Sequence, residues 1–146
     1  MNVLFVCMGN IGRSPLAKSL LQKKYKEHAI IAEVDSAGFE AYNINEKPDQ
    51  RIKELGEKHG VEVTGEARIF VKRDFDKFDH IYVMDTKSYR DVKELAKNEE
   101  QLNKIDYLMN QVGELVVSRA FFVQLLDDMK NLQQELKNDL GVNKKS

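Results

Sequence analysis

Cys7 is the only cysteine in the chain, and it stands where an apolar run ends. Six positions later come Arg13, Ser14 and Pro15, so the segment reads C-x5-R-S-P. Residues of these types at this spacing can build a cradle for an oxyanion. Met8, Gly9, Asn10, Ile11 and Gly12 supply a run of backbone N–H groups, and Gly9 and Gly12 are expected to adopt conformations closed to residues with a Cβ, curling those groups around one anion. A helix opening near Pro15 would aim its positive end at the same point. Arg13 offers a planar fork that matches two oxygens of a phosphate. All three features also favour a thiolate over a thiol. Ser14 could hydrogen-bond the sulfur and ease its departure. The predicted chemistry is capture of a tetrahedral anion with a nucleophilic sulfur beneath its central atom. Cys7, Arg13 and Ser14 are then the catalytic candidates, and Met8–Arg13 the anion-binding loop. A lone cysteine closing a strand is otherwise a small core residue.

A loop of this kind works only if a strand delivers it and a helix receives it. Val3–Val6 is continuously apolar, the pattern of a strand covered on both faces. Leu16, Leu20 and Leu21 mark a helix face running to about His28. Ile30–Val34 reads as a second strand, ended by Asp35-Ser36-Ala37-Gly38. A loop over 39–48 leads to a helix opened by Pro48, with Ile52 and Leu55 inward. A weak strand-like segment lies at Arg68–Val71, a strong one at His80–Met84 ahead of an amphipathic helix from Lys87 to about Lys97, and a last one at Ile105–Met109. Beyond Gly113, Phe121, Phe122, Leu125, Met129, Leu132 and Leu136 recur at helical spacing. Such alternation predicts an α/β fold, three layers with a doubly wound parallel sheet of about four strands. Ligands of such sheets bind at the carboxyl ends of the strands, where Cys7 falls.

Composition narrows the partners. The 146 residues suit one domain spanning 1–146, and 23 Lys and Arg nearly cancel 24 Asp and Glu. Neither sign dominates, so no nucleic-acid or membrane partner is expected. No apolar run reaches the length of a bilayer span, no secretory leader is recognisable, and Cys/His spacing for zinc is missing. The expectation is a cytoplasmic protein that uses neither metal nor cofactor.

Val6-Cys7-Met8-Gly9-Asn10-Ile11-Gly12-Arg13-Ser14-Pro15 resembles the signature of the low-molecular-weight protein tyrosine phosphatases, roughly V-C-x-G-N-[IST]-C-R-S-P. The likeness continues through Asp35-Ser36-Ala37-Gly38, Pro48-Asp49 with Arg51, and Tyr82-Val83-Met84-Asp85. It implies that such a phosphatase hydrolyses phosphotyrosine in proteins or small aryl phosphates through a phosphocysteine. Cys7 would attack phosphorus, and Arg13 with the loop amides would hold the equatorial oxygens. Asn10, bonded to neighbours such as Ser36, would lock the loop, and Ser14 would stabilise the thiolate. Tyr42 would form an aromatic wall for the substrate's ring. Inorganic phosphate, sulfate and vanadate are the implied small ligands.

Two departures from the family pattern stand out. Gly12 replaces a second cysteine found in many members, so peroxide is expected to drive Cys7 up the oxidation ladder with no internal disulfide to stop it. The larger departure is the missing D-P-[YFW] loop, which carries the family's general acid. No proline follows Pro48, no aspartate lies between Asp106 and Asp127, and Gly113–Arg119 stands where that loop belongs. Losing a general acid typically costs about 10²–10⁴ in rate, so slow turnover is expected. Glu114 is the nearest substitute, while Asp127 and Asp128 fall within a helix. Asp85 would buttress the loop without acting as the acid. The competing reading is a phosphate- or phosphoprotein-binding pseudophosphatase. An arsenate reductase would need more cysteines, and a phosphocysteine carrier would have no use for Arg13.

Overall fold

The computed structural model describes residues 1–108. Four parallel strands form one sheet in the order β2-β1-β3-β4, with β1 Val3–Val6, β2 Val34–Ala37, β3 His80–Val83 and β4 Ile105–Tyr107. β1 lies centrally, Val3 standing opposite both Val34 and His80. Helices α1 (Arg13–Glu27), α2 (Gln50–Lys58), α3 (Asp74–Lys77), α4 (Thr86–Leu95) and α5 (Glu99–Leu102) fill the connections.

The strand period of two divides the core. Val3 and Phe5 point into a cluster with Leu16 and Leu20 of α1 and Ile52 and Leu55 of α2. Leu4 and Val6 point the other way, to Phe75, Phe78, Ile81, Val83 and Val92. Helices therefore cover both faces, the three-layer arrangement that the alternating pattern predicts. Because β2 and β3 flank β1 on opposite sides, the winding reverses at β1, and sheets of this kind bind ligands outside the carboxyl ends of the strands at such a point.

Side chains cap the starts of α2 and α4. Asp49 accepts a hydrogen bond from Arg51 N (2.8 Å) and opens α2, and Asp85 accepts from Ser88 N (2.7 Å) to open α4.

Two of the expected strands are corrected. The second begins at Val34, not at Ile30, and Ile31 is fully exposed. Ala29 adopts a left-handed conformation (φ 56°), and Ile30 N donates to Tyr25 O (2.9 Å). The apolar residues just after α1 thus finish that helix, and the polar Asp35 and Ser36 pair with β1. Arg68–Val71 is not a strand, making only one parallel bridge, Ile69 with Gly38. The last strand ends at Tyr107. Glu114, Phe121, Phe122, Asp127 and Asp128 lie outside the described residues.

Candidate active site

β1 ends at Val6, and Cys7 follows with only 4% of its surface exposed, its N–H bonded to Ala37 O (3.3 Å). The chain then turns away from the sheet and enters α1 at Arg13. The expected role of the glycines needs correction here. Neither Gly9 nor Gly12 takes positive φ; Asn10 does (φ 55°), a conformation that asparagine tolerates better than most residues. Gly9 is small for another reason: a Cβ there would stand 3.1 Å from Asn43 Nδ2 and 3.2 Å from Glu40 Oε1. At Gly12 a Cβ would meet nothing within 4 Å.

The neighbouring segments hold the carbonyls of this loop. Met8 O accepts from Phe39 N (2.8 Å) and Glu40 N (3.1 Å), Gly9 O from Asn43 Nδ2 (3.3 Å), and Ile11 O from Asp49 N (2.8 Å). Gly38 makes that approach possible. Its own Cβ would lie 2.7 Å from Met8 O and 2.9 Å from both Asn10 Cβ and Cys7 O. The N–H groups of residues 8–13, by contrast, donate to no other group among the described residues. α1 likewise has no side-chain cap and no acidic residue in its first turn. Loop and helix end together present a collar of open donors, the electrostatics an anion requires.

Beneath the collar Ser14 Oγ lies 2.9 Å from Cys7 Sγ and 2.8 Å from Asn10 Oδ1. Ser14 and Asn10 are buried, and Asn10 Nδ2 has no partner among the described residues. The expected Asn10–Ser36 bond is not made; Ser36 sits in β2 opposite Phe5. A hydroxyl has one proton to give. If Ser14 donates to Asn10, the sulfur must be a thiol. A thiolate requires Ser14 to donate to sulfur and the Asn10 amide to turn Nδ2 toward Ser14, an orientation equally compatible with the positions of these atoms.

Arg13 reaches across to the end of β3. Its Nη1 donates to Met84 O (2.8 Å), and its Nη2 pairs with Asp85 Oδ2 (3.2 Å). Asp85 is simultaneously the cap of α4, so its orientation is fixed by backbone as well as by charge. This is the buttress expected of it.

Tyr42 lies on a 3-10 turn (Ala41–Asn43) beside Gly9, with 78% of its surface exposed. Hydrogen bonding to Glu40, with that residue's negative charge, raises the Tyr42 pKa. Cys7, Asn10, Arg13, Ser14 and Asp85 therefore converge, and Tyr42 belongs to the short turn whose Asn43 bonds Gly9 O. Gly38, Glu40 and Asn43 were not anticipated as site residues. Gly38 had a signal, a glycine directly after a strand that runs beside Cys7; Glu40 and Asn43 had none.

Known proteins resemble this chain in sequence and in fold. The sequence model described as low molecular weight phosphotyrosine protein phosphatase matches residues 2–140. Curated relatives include the low molecular weight phosphotyrosine protein phosphatases of Homo sapiens, 40% identical over 93 residues (62% of this chain, 59% of that protein), and Gallus gallus, 39% identical over 94 residues (63% and 60%). The matched stretch thus spans about 60% of the length of the curated relatives. Among solved structures, a protein tyrosine phosphatase from Entamoeba histolytica superposes with a TM-score of 0.74 at 27% identity, covering 97% of this chain and 98% of that one. A Drosophila arginine phosphatase superposes with a TM-score of 0.73, also at 27% identity, covering 94% and 98%.

Proposed function

Since the chain belongs to the low molecular weight phosphotyrosine protein phosphatase family, we propose that it hydrolyses protein phosphotyrosine, or small aryl phosphates, through a phosphocysteine intermediate. Cys7 Sγ attacks phosphorus in line with the phenolic oxygen, the S–P bond forms as the P–O bond breaks, and phenolate departs. The open N–H groups of residues 8–13 and the Arg13 fork hold the three equatorial oxygens, whose charge rises in the transition state. Water then attacks the phosphocysteine, phosphate forms, and the electron pair returns to sulfur. Ser14 donates to the departing thiolate, backed by Asn10. Tyr42 receives the aryl ring. A reduced cytoplasmic setting belongs to the same proposal, because the chemistry needs a free thiol. No helix among the described residues is long and apolar enough to cross a membrane.

One observation carries this reading: a collar of open backbone donors around a buried cysteine, with an arginine fixed beside it by Met84 O and Asp85. The missing D-P loop makes the proposed turnover slow, because phenolate leaves poorly without a proton. The same feature supports the second reading, a pseudophosphatase that binds phosphate without cleaving esters. Hydrolysis of p-nitrophenyl phosphate and of phenyl phosphate, with Cys7→Ser as control, decides between them. The proposal expects Cys7-dependent hydrolysis that strongly favours the nitrophenyl ester, whose leaving group needs no acid. Phosphate binding without any Cys7-dependent hydrolysis would establish the pseudophosphatase. Equal rates on both esters would reveal a general acid, with Glu114 the first residue to substitute.

A further inference from the structure

Glu40 occupies an unusual place for a carboxylate. Its backbone N–H is bonded to Met8 O of the anion loop (3.1 Å), and its Oε1 lies 3.3 Å from Asn43 Nδ2, the same nitrogen that donates to Gly9 O. A Cβ on Gly9 would be 3.2 Å from that oxygen. Glu40 is also near enough to the exposed Tyr42 to raise its pKa, through hydrogen bonding and negative charge. The carboxylate thus stands between the anion collar and the aromatic rim.

The other carboxylates near the strand ends have cations of their own: Asp85 has Arg13, and Asp35 and Asp74 share Arg68. Among the described residues no lysine, arginine or histidine forms an ion pair with Glu40. Among the described residues its carboxylate accepts from the Asn43 amide and acts on the Tyr42 phenol. An unneutralised negative charge beside an anion site repels the very group that the site collects, and the repulsion is strongest for a bare phosphate dianion. The repulsion is offset when the incoming molecule carries a positive charge that reaches the carboxylate.

We propose that Glu40 is a specificity residue that selects phosphotyrosine flanked by lysine or arginine and disfavours acidic flanks. This inference rests on the phosphatase reading and names its substrate class. The cation of the adjacent side chain would lie against Glu40 while the phosphoryl group sits in the collar and the ring against Tyr42. At low ionic strength one such partly exposed pair is worth about 3–10-fold in kcat/KM. The preference fades in salt, because the Debye length falls to about 3 Å at 1 M.

Two phosphotyrosine peptides, identical except for lysine or glutamate on both sides of the phosphorylated residue, test this. The readout is the ratio of their kcat/KM values, which does not depend on the overall rate. Wild-type protein is expected to prefer the lysine peptide by about 3–10-fold, and Glu40→Gln to bring the ratio close to 1. Inorganic phosphate should inhibit Glu40→Gln more tightly than wild type. An unchanged peptide ratio in Glu40→Gln overturns the proposal. The same peptides are bound to Cys7→Ser and their affinities measured directly. Preferential binding of the lysine peptide there, with no hydrolysis by wild type, would leave the selectivity standing and remove the catalytic reading. Failure to bind either peptide would overturn the assignment of peptide substrates.

Discussion

The two ends of the parallel sheet are finished in opposite ways. At the amino end the starts of β1, β2 and β3 are tied together: Val3 N donates to Glu33 O, Glu33 N to Asn2 Oδ1, Asn2 N to Asp79 Oδ2, and Asn2 O accepts from Asp79 and His80. At the carboxyl end the carbonyls of Met8, Gly9, Ile11 and Gly12 are paired, and the donors of residues 8–13 have no partner among the described residues. The chain uses its polar backbone to close one end and to expose a binding capacity at the other. Substitutions at the two ends should accordingly read out in different measurements.

The largest effect belongs to Arg13→Lys, which removes the planar fork but keeps the charge. Activity toward p-nitrophenyl phosphate is expected to fall about 10²–10³-fold, while the melting temperature moves by only a few degrees. A large melting shift with little loss of rate would erase the contrast. Asp85→Asn comes next. Asparagine caps a helix as well as aspartate, so α4 keeps its start, but Arg13 loses its charged anchor. A drop of about 10-fold in kcat/KM is expected, with stability nearly unchanged. At the other end, Asn2→Ala removes the acceptor for Glu33 N and the donor to Lys77 O. Denaturant unfolding should show a loss of about 1–2 kcal/mol, with kcat/KM unaffected at temperatures where the protein is folded. The smallest effect involves His80 at the start of β3, whose pKa is lowered by burial. The folded protein resists protonating it, while the unfolded chain takes up a proton below about pH 6.5. Its contribution is therefore complete above that pH and lost as the pH falls. The acid-side decline in melting temperature should be shallower in His80→Asn, and a steeper one would contradict the assignment.

The anion loop was legible because its chemistry is local. Cys7, Arg13, Ser14 and Pro15 lie within nine residues, and the strand before them and the helix after them have clear periodicities. Asp85 could be read from its place at the end of a strongly apolar strand. β2 could not. Its Asp35 and Ser36 look like a turn, and only pairing with β1, after Ile30 has gone to finish α1, makes them a strand. The glycines were read for the wrong property, since backbone freedom is needed at Asn10 and Gly9 is small to admit Asn43 and Glu40. Gly38 and Glu40 owe their roles to contacts with residues about thirty positions away, and a linear pattern carries no trace of those.

The empty space beside Gly12 has a consequence for the lifetime of the molecule. A Cβ there would meet nothing within 4 Å, so space at that position does not forbid a second thiol; the chain has only Cys7. The sulfenic acid that an oxidant first makes therefore has no neighbouring thiol to trap it as a disulfide, and the next oxidation is irreversible. Each molecule so damaged is retired for good, and only newly made protein restores what was lost.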